Sequence, residues 1–213
     1  MKVFYGGKKI TLFNDGKHMS FKDYPRDLFL VTTYKFDKSI YENLVPEFNS
    51  SYPVDYEIID TVEGNIVTRS IHSETFPTMI RFGSNSDDAT DSALSLKEVV
   101  YLNTNSLTSC SSMFNHCQNV TRIDTTDWDT SKVTDMRFMF RFCINLTELN
   151  INNFDTRNVR NMYCMFQHCE SFTTINVSNF NTDQVTDIAG MFDSCYLLKS
   201  INGINNWNTS QVI

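Results

Sequence analysis

The sequence predicts an α/β solenoid, in which each coil contains one short strand and one short helix. Two observations predict it: the second half of the chain repeats every 26 residues, and each repeat contains one strand-like and one helix-like apolar pattern. The first ninety residues lack the repeat and are rich in turn signals and β-branched residues. We therefore divide the chain into a β-rich N-terminal domain, 1–90, which serves for attachment or as a cap, and a solenoid, 91–213, of about four to five coils with the last one incomplete.

The repeat is visible as columns of similar residues spaced by 26 positions. Met-Phe pairs, each followed three residues later by Cys, occur at Met113-Phe114-Cys117, Met139-Phe140-Cys143, Met165-Phe166-Cys169 and Met191-Phe192-Cys195. An aromatic residue followed by Asp or Asn and then Thr occurs at Trp128, Phe154, Phe180 and Trp207, the last after a one-residue insertion that we place at Gly203. A single coil cannot bury its apolar face, so stacked coils are expected to share a continuous core built from these columns.

Each unit divides into two segments. Leu146–Ile151 (LTELNI) has the LxxLxI spacing that forms the short strand of a leucine-rich repeat. In the segment 159–169 the apolar residues fall at i, i+3, i+6, i+7 and i+10, which is typical of one face of a helix. The sequence therefore predicts an α/β solenoid of leucine-rich-repeat type.

The cysteine column is expected to be structural. Zinc sites need closely spaced ligand pairs, and the even spacing of 26 residues provides none, so we predict no metal. Buried free Cys packs as a small hydrophobe. Disulfides between adjacent coils stay possible at this stage. His116 and His168 share a column with Phe142 and Ser194, a variation that a catalytic or metal site would not tolerate, and we place them on the coil surface.

The repeat resembles the BspA-like leucine-rich-repeat surface protein family. Residues 128–136 (WDTSKVTDM), followed by Met139-Phe140 and Cys143, reproduce that family's signature, and the resemblance covers roughly residues 94–213. Arg160-Asn161 replaces Thr-Asp in a later coil, and Gly203 disturbs the last strand. The resemblance implies surface adhesion and binding of host or matrix proteins, it extends to repeats in bacteriophage virion proteins, and it implies neither an enzyme nor a cofactor.

The sequence of the first ninety residues predicts strands and indicates no catalytic site. Strands or hairpins are expected over 2–5, 9–13, 27–36, 56–62, 66–72 and 78–82. No nucleophile constellation, phosphate-binding loop or HExxH motif occurs in this half. We therefore expect no catalytic residues and no enzymatic activity.

The predicted strand face of the coils is the candidate binding surface. Its residues are the polar positions of the LxxLxI pattern: Thr121, Arg122, Asp124, Thr147, Glu148, Asn150, Thr173, Thr174 and Asn176. An array of hydroxyls and amides can hydrogen-bond a polymeric sugar or an extended peptide, and a merely solvated face is the alternative.

Charge and composition restrict the classes of partner that the chain is expected to bind. The net charge of −7 with no basic patch argues against nucleic acid, and no stretch has the length needed for membrane insertion. Three functions stay open: a virion component that contacts other virion proteins or a host-surface protein or glycan, a bacterial surface adhesin, and an intracellular interaction scaffold. The chain ends partway through a coil, so we expect either that the native protein continues past Ile213 or that it assembles with other chains that cover this end. A virion location is the first expectation, and the bacterial or extracellular surface is the second.

Overall fold

The computed structural model describes residues 2–5, 8–11, 29–40, 47–48, 56–73, 79–84 and 88–213. The strands, in chain order, are β1 (Lys2–Tyr5), β2 (Lys8–Thr11), β3 (Phe29–Asp37), β4 (Glu47–Phe48), β5 (Tyr56–Glu63), β6 (Ile66–Ser73), β7 (Ile80–Arg81), β8 (Leu96–Leu102), β9 (Arg122–Ile123), β10 (Thr174–Asn176) and β11 (Ser200–Asn202). Seven of them form one sheet in the order β2-β1-β5-β6-β3-β8-β9, and β4 with β7 and β10 with β11 form two-stranded sheets. The large sheet is antiparallel except for the parallel pair β8–β9.

Buried and partly exposed side chains alternate along β3, an inner strand of the large sheet. In β3 the buried residues are Thr32, Tyr34 and Phe36, which alternate with partly exposed ones as expected for a strand with one buried face. The hairpin of β5 and β6 closes at Gly64, whose φ of 61° suits the left-handed conformation that tight hairpin turns require. Buried Arg69 forms two hydrogen bonds to Asp60, at 2.7 and 2.6 Å, which compensate for its burial.

The predicted α/β solenoid of leucine-rich-repeat type is wrong. The described part of the chain is mostly β-sheet and turns, and its one α-helix is α1 (Asp91–Ser95), accompanied by a 3₁₀ turn at Ile204–Asn206. The predicted strand Leu146–Ile151 is not a strand, whereas β9, β10 and β11 occupy parts of the corresponding segments of other repeats. The predicted helix over 159–169 is a succession of turns.

Hydrogen bonding between repeats explains why the helix does not form. The N–H groups of Met162, Cys164 and Phe166 donate to carbonyl groups of the next repeat at 2.8–2.9 Å, whereas a helix would direct each of them to the residue four positions earlier. The N–H of Met165 donates instead to Met162 at 3.2 Å and closes a tight turn. The apolar side chains are therefore spaced by three residues because each tight turn spans three residues, and not because they share one face of a helix.

Left-handed residues recur in register and interrupt any right-handed helix. Two columns have positive φ: Ser112, Phe138, Cys164 and Gly190 in one, and His116, Phe142, His168 and Ser194 in the other. Such φ values are uncommon for residues other than glycine. Six of these eight residues are followed by another repeat, and the N–H of each donates to a carbonyl group of that repeat at 2.8–3.0 Å. These hydrogen bonds between repeats offset the cost of the left-handed conformation.

The core is a column of stacked aromatic rings. Phe82, Phe114, Phe140, Phe166 and Phe192 follow one another with ring centroids 5.5–5.6 Å apart and nearly parallel planes. The first ring comes from the segment Ile80–Ser84, which precedes the repeats, and Tyr34 of β3 meets it edge-on at 4.9 Å. The main sheet and the repeats thus share one hydrophobic core.

The residues predicted for the repeat core lie in this core. Those that are buried are Met113, Phe114, Cys117, Trp128, Met139, Phe140, Cys143, Phe154, Met165, Phe166, Cys169, Phe180, Met191 and Cys195. Phe192 and Trp207 pack against them and are partly buried. The division into two domains at residue 90 stays a prediction. The large sheet contains β1–β3, β5 and β6 from one side of that position and β8 and β9 from the other.

Candidate binding surfaces

The corners of the repeats are held by polar side chains that bond to the backbone. The side-chain Oδ1 atoms of Asp129, Asp155 and Asn181 each accept the N–H two residues later, at 2.9–3.1 Å, which forms an Asx turn. Thr130 and Thr156, both buried, bond to the backbone of the next repeat. The aromatic-Asp-Thr motif therefore encodes one ring for the core, one turn and one connection between repeats.

The predicted binding face is solvent-exposed. Thr121, Arg122, Thr147, Glu148, Asn150, Thr173, Thr174 and Asn176 are exposed, and Asp124 is partly exposed. The residues come from β9, β10 and the loops beside them, so they lie in successive repeats. The nine residues thus form three columns of equivalent positions, with polar side chains throughout.

Several members of this face are already engaged within the chain. Asp124, Asn150 and Asn176 each accept the N–H two residues later at 3.1 Å, which is the same Asx turn as at the other corners. Arg122 donates to Glu98 at 2.7 Å and to Asp124 at 3.0 Å. The pKa of Glu98 is lowered mainly by its hydrogen bond to Lys35 and that of Asp124 mainly by its hydrogen bonds to Thr126, and Arg122 adds to both shifts. Thr147, Glu148, Thr173 and Thr174 are therefore better candidates for contact with a ligand.

A second surface, which the sequence pattern did not indicate, carries stacked rings. His116, Phe142 and His168 stack at 4.4 and 4.2 Å, and the ring of Tyr196 meets His168 edge-on at 6.3 Å. Arg141 lies over the Phe142 ring at 4.9 Å. The prediction that both histidines lie on the surface is wrong for His116, which is buried.

Tyr196, at the exposed end of these stacked rings, and the adjacent Leu197 differ from the equivalent residues of the earlier repeats. Tyr196 and Leu197 are 71% and 56% exposed. The equivalent positions in the three earlier repeats hold Gln118-Asn119, Ile144-Asn145 and Glu170-Ser171. The second residue of each of these pairs donates to a backbone carbonyl of the preceding layer at 2.6–2.8 Å. Leu197 cannot form that bond, so its exposure serves no structural purpose visible in the repeats.

The cysteine column is buried and its thiols are free. In Cys143, Cys169 and Cys195 the Sγ atom lies 3.1–3.3 Å from a phenylalanine carbonyl oxygen of the preceding repeat. Burial raises the pKa of Cys143 and Cys169 well above the usual range and that of Cys195 to about 11. All six cysteines are free and buried in this structure. Among the described residues, no cluster of three or more His, Cys, Asp and Glu side chains could hold a metal ion.

No helix within the described ranges has the length and hydrophobicity needed to span a membrane.

Taken together, these features define a β-sheet protein with a stack of 26-residue repeats and polar and aromatic surfaces. Residues 108–213 match a protein family described as "Mycoplasma protein of unknown function, DUF285". The match begins four residues before Ser112, the first described residue other than glycine with positive φ, and extends to residue 213. It therefore covers the repeats and leaves out the strands β1–β8. The chain matches no curated protein and no solved structure.

Proposed function

We propose that this chain is a non-enzymatic binding protein that presents its stacked repeats to a macromolecule on a cell or particle surface. The observation that carries the proposal is the exposed pair Tyr196-Leu197, in which Leu197 replaces side chains that form hydrogen bonds in the earlier repeats. Tyr and Arg are enriched at the energetic centres of protein interfaces, and Tyr163, 37% exposed, lies with Arg141 on the same side of the repeats, both being packed against Phe138. The partly free threonines of the polar face offer a second, more hydrophilic contact area.

The family resemblance refines this proposal. Membership of the BspA-like surface proteins would give the chain an adhesive role toward a host protein or glycan. The matched family is described by a bacterial genus, which favours a bacterial surface over the virion expected first from the sequence. Assembly with other chains is a further part of the proposal.

Location is tested by immunogold electron microscopy of the source culture, with antibody raised against residues 1–90. Gold on the envelope of intact cells would support the surface role. Gold on virus-like particles would restore the virion alternative. Labelling that requires permeabilised cells would contradict both and leave an intracellular scaffold.

Binding is tested with the labelled full chain on immobilised extracellular-matrix protein. The double variant Tyr196→Ala, Leu197→Asn should bind at least tenfold more weakly, because loss of one interface centre costs about 2 kcal/mol or more. Val62→Asn is the matched control, since Val62 is 54% exposed on β5, outside the repeats. Equal binding by the double variant and the control would contradict the assigned contact surface.

A further inference from the structure

The last layer of the described repeats has a row of backbone N–H groups that face no acceptor. In the layer before it, four N–H groups donate to carbonyl groups of the next layer at 2.8–2.9 Å, and they belong to Met162, Cys164, Phe166 and His168. The equivalent N–H groups of the last layer form no hydrogen bond to any described residue, and they belong to Ile188, Gly190, Phe192 and Ser194. We call the segment 188–194 the open edge.

The open edge offers donors and almost no free acceptors. The six carbonyl oxygens of residues 188–193 already accept hydrogen bonds, three from the preceding layer and three from tight turns within the segment. An unpaired edge of this kind is a template for pairing with another backbone, because backbone N–H groups are strong donors. A partner must therefore present carbonyl oxygens at every second residue, as each repeat does toward the repeat before it.

A second copy of this chain does not supply these oxygens. Two copies related by a twofold axis present the same surface to each other, so donors would face donors at the open edge. At the other end of the stack, the carbonyl oxygens of Met113 and Asn115 accept from the segment Ile80–Ser84 at 2.8–3.0 Å, which covers that acceptor edge. The partner that fits is therefore a repeat of the same kind in a different protein, whose acceptor edge has no such cover.

The side chains beside the open edge also fit a further repeat. The partly exposed Phe192 is the last of the stacked phenylalanines, and its ring lies 5.5 Å from that of Phe166. Arg141, Gln167 and Asp193 occupy one column. The Nε of Arg141 donates to Gln167 at 2.8 Å, and the Nε2 of Gln167 donates to Asp193 at 2.9 Å. The column therefore ends in an exposed carboxylate, which a cationic side chain of a further repeat would pair.

We propose that the open edge binds a repeat of another protein by backbone pairing, with an aromatic ring over Phe192 and a cationic side chain beside Asp193. In this mode of recognition the backbone hydrogen bonds supply affinity, and side chains at fixed positions supply specificity. The inference rests on the part of the proposed function that concerns assembly with other chains, because it assigns the surface and the partner for that assembly. It does not depend on contact by Tyr196 and Leu197.

The test uses the full chain, with one repeat of its own sequence as the probe. A peptide of residues 131–156 spans one period, and in the register of the repeats it would place Phe140 over Phe192 and Arg141 beside Asp193. Fluorescein on the peptide reports binding through fluorescence anisotropy. A peptide of the same composition in scrambled order is the control. We expect saturable binding of the repeat peptide and none of the scrambled peptide.

A charge exchange tests whether the peptide binds in the register of the repeats. Asp193→Lys should weaken binding about fivefold, because Arg141 of the peptide would then face a like charge. The peptide with Arg141→Glu should bind the Asp193→Lys chain about fivefold more tightly than it binds the parent chain. Asp127→Lys makes the same change at an exposed carboxylate of an earlier repeat and should bind the original peptide as the parent does. Circular dichroism checks the fold of each variant.

Three results with the peptides would overturn the proposal: no binding of the repeat peptide, equal binding of the scrambled peptide, or no recovery in the charge exchange. Sedimentation of the full chain tests a second copy as the partner. A dimer that Asp193→Lys abolishes would show that the open edge pairs with itself, which also contradicts the proposal. Binding to matrix protein by Tyr196 and Leu197 is measured without the peptide, so each proposal can fail while the other holds.

Discussion

Thr130 and Asp155 exchange two hydrogen bonds across successive repeats. The Thr130 hydroxyl donates to the Asp155 carbonyl oxygen at 3.0 Å and accepts from the Asp155 N–H at 2.8 Å. The same exchange joins Thr156 to Asn181 and Thr182 to Asn208. The threonine of the aromatic-Asp-Thr motif therefore connects each repeat to the next through two hydrogen bonds.

Replacement of Thr130 by Val should lower the free energy of unfolding by about 1–3 kcal/mol. The two side chains have similar shape, but Val leaves the N–H and the carbonyl of Asp155 without this partner beside a site that is 1% exposed. Urea denaturation followed by circular dichroism measures the change. Gln184→Ala, an exposed position two residues after the equivalent Thr182, is the control and should stay near the parent. A Thr130→Val protein as stable as the control would show that the hydroxyl makes no net contribution.

Replacement of Cys143 by Ser should also destabilise the protein, by about 1–3 kcal/mol. The smaller and more polar hydroxyl would stand in fully buried apolar surroundings with a single acceptor, the Phe114 carbonyl oxygen, which now lies 3.3 Å from the sulfur. Denaturant unfolding measures the loss, and elemental analysis of both proteins should find no zinc. Stoichiometric zinc that disappears in the variant would contradict the structural role of the column.

The buried cysteines should make the protein less stable in alkaline solution. Burial raises the pKa of Cys110 to about 12, whereas an unfolded thiol has a pKa near 8.5. Below pH ~8.5 both states keep the proton and stability does not change. Above it the unfolded state loses the proton first, so the free energy of unfolding falls as the pH rises toward the folded-state pKa. At pH ~10 this one thiol accounts for a loss of about 2 kcal/mol.

The variant Cys110→Ala isolates this contribution. Its stability at neutral pH should be lower than that of the parent, because a side chain is removed from the core. Between pH ~7 and pH ~10, however, the variant should lose about 2 kcal/mol less than the parent, measured by urea denaturation at both pH values. Parallel losses in the two proteins would show that the Cys110 thiol does not titrate differently in the folded and unfolded states.

The sequence was sufficient for the period and the buried columns, and insufficient for the backbone conformation within each period. The columns of Met, Phe and Cys identified buried positions because stacking places equivalent residues in equivalent surroundings. The helix prediction was wrong because a three-residue step between Met162 and Met165 is common to a helix and to successive tight turns. Positive φ at Phe138 and Phe142 has no sequence signal, since neither residue favours that conformation.

The candidate surfaces were predictable to a different degree. The LxxLxI pattern located an exposed polar face. It did not show that the side chains of Asp124, Asn150 and Asn176 on this face form Asx turns. The exposed Leu197 could have been found as a departure from its column, because it replaces residues whose side chains bond to the preceding layer elsewhere.

The junction between the first ring of the core and the repeats depends on Gly83. The N–H groups of Phe82 and Gly83 donate to the Met113 carbonyl at 2.8 and 3.0 Å, and a Cβ on Gly83 would lie 2.3 Å from the backbone nitrogen of Asn115. Backbone atoms cannot move aside as a flexible side chain can, so Gly83→Ala should displace the segment Ile80–Ser84 and with it the Phe82 ring.

We expect Gly83→Ala to reduce the free energy of unfolding by more than Gly64→Ala does. Gly64 has open space around its Cα and a φ of 61°, so an alanine there carries only the left-handed backbone cost of about 1–2 kcal/mol. Gly83→Ala adds separation of Phe82 from Phe114, whose rings lie 5.6 Å apart. Urea unfolding of both variants, with the slope compared as well as the midpoint, measures the difference. If the two variants unfold alike, the Ile80–Ser84 segment does not hold the sheet to the repeats, and the shared core must depend on the contact between β3 and β8 instead.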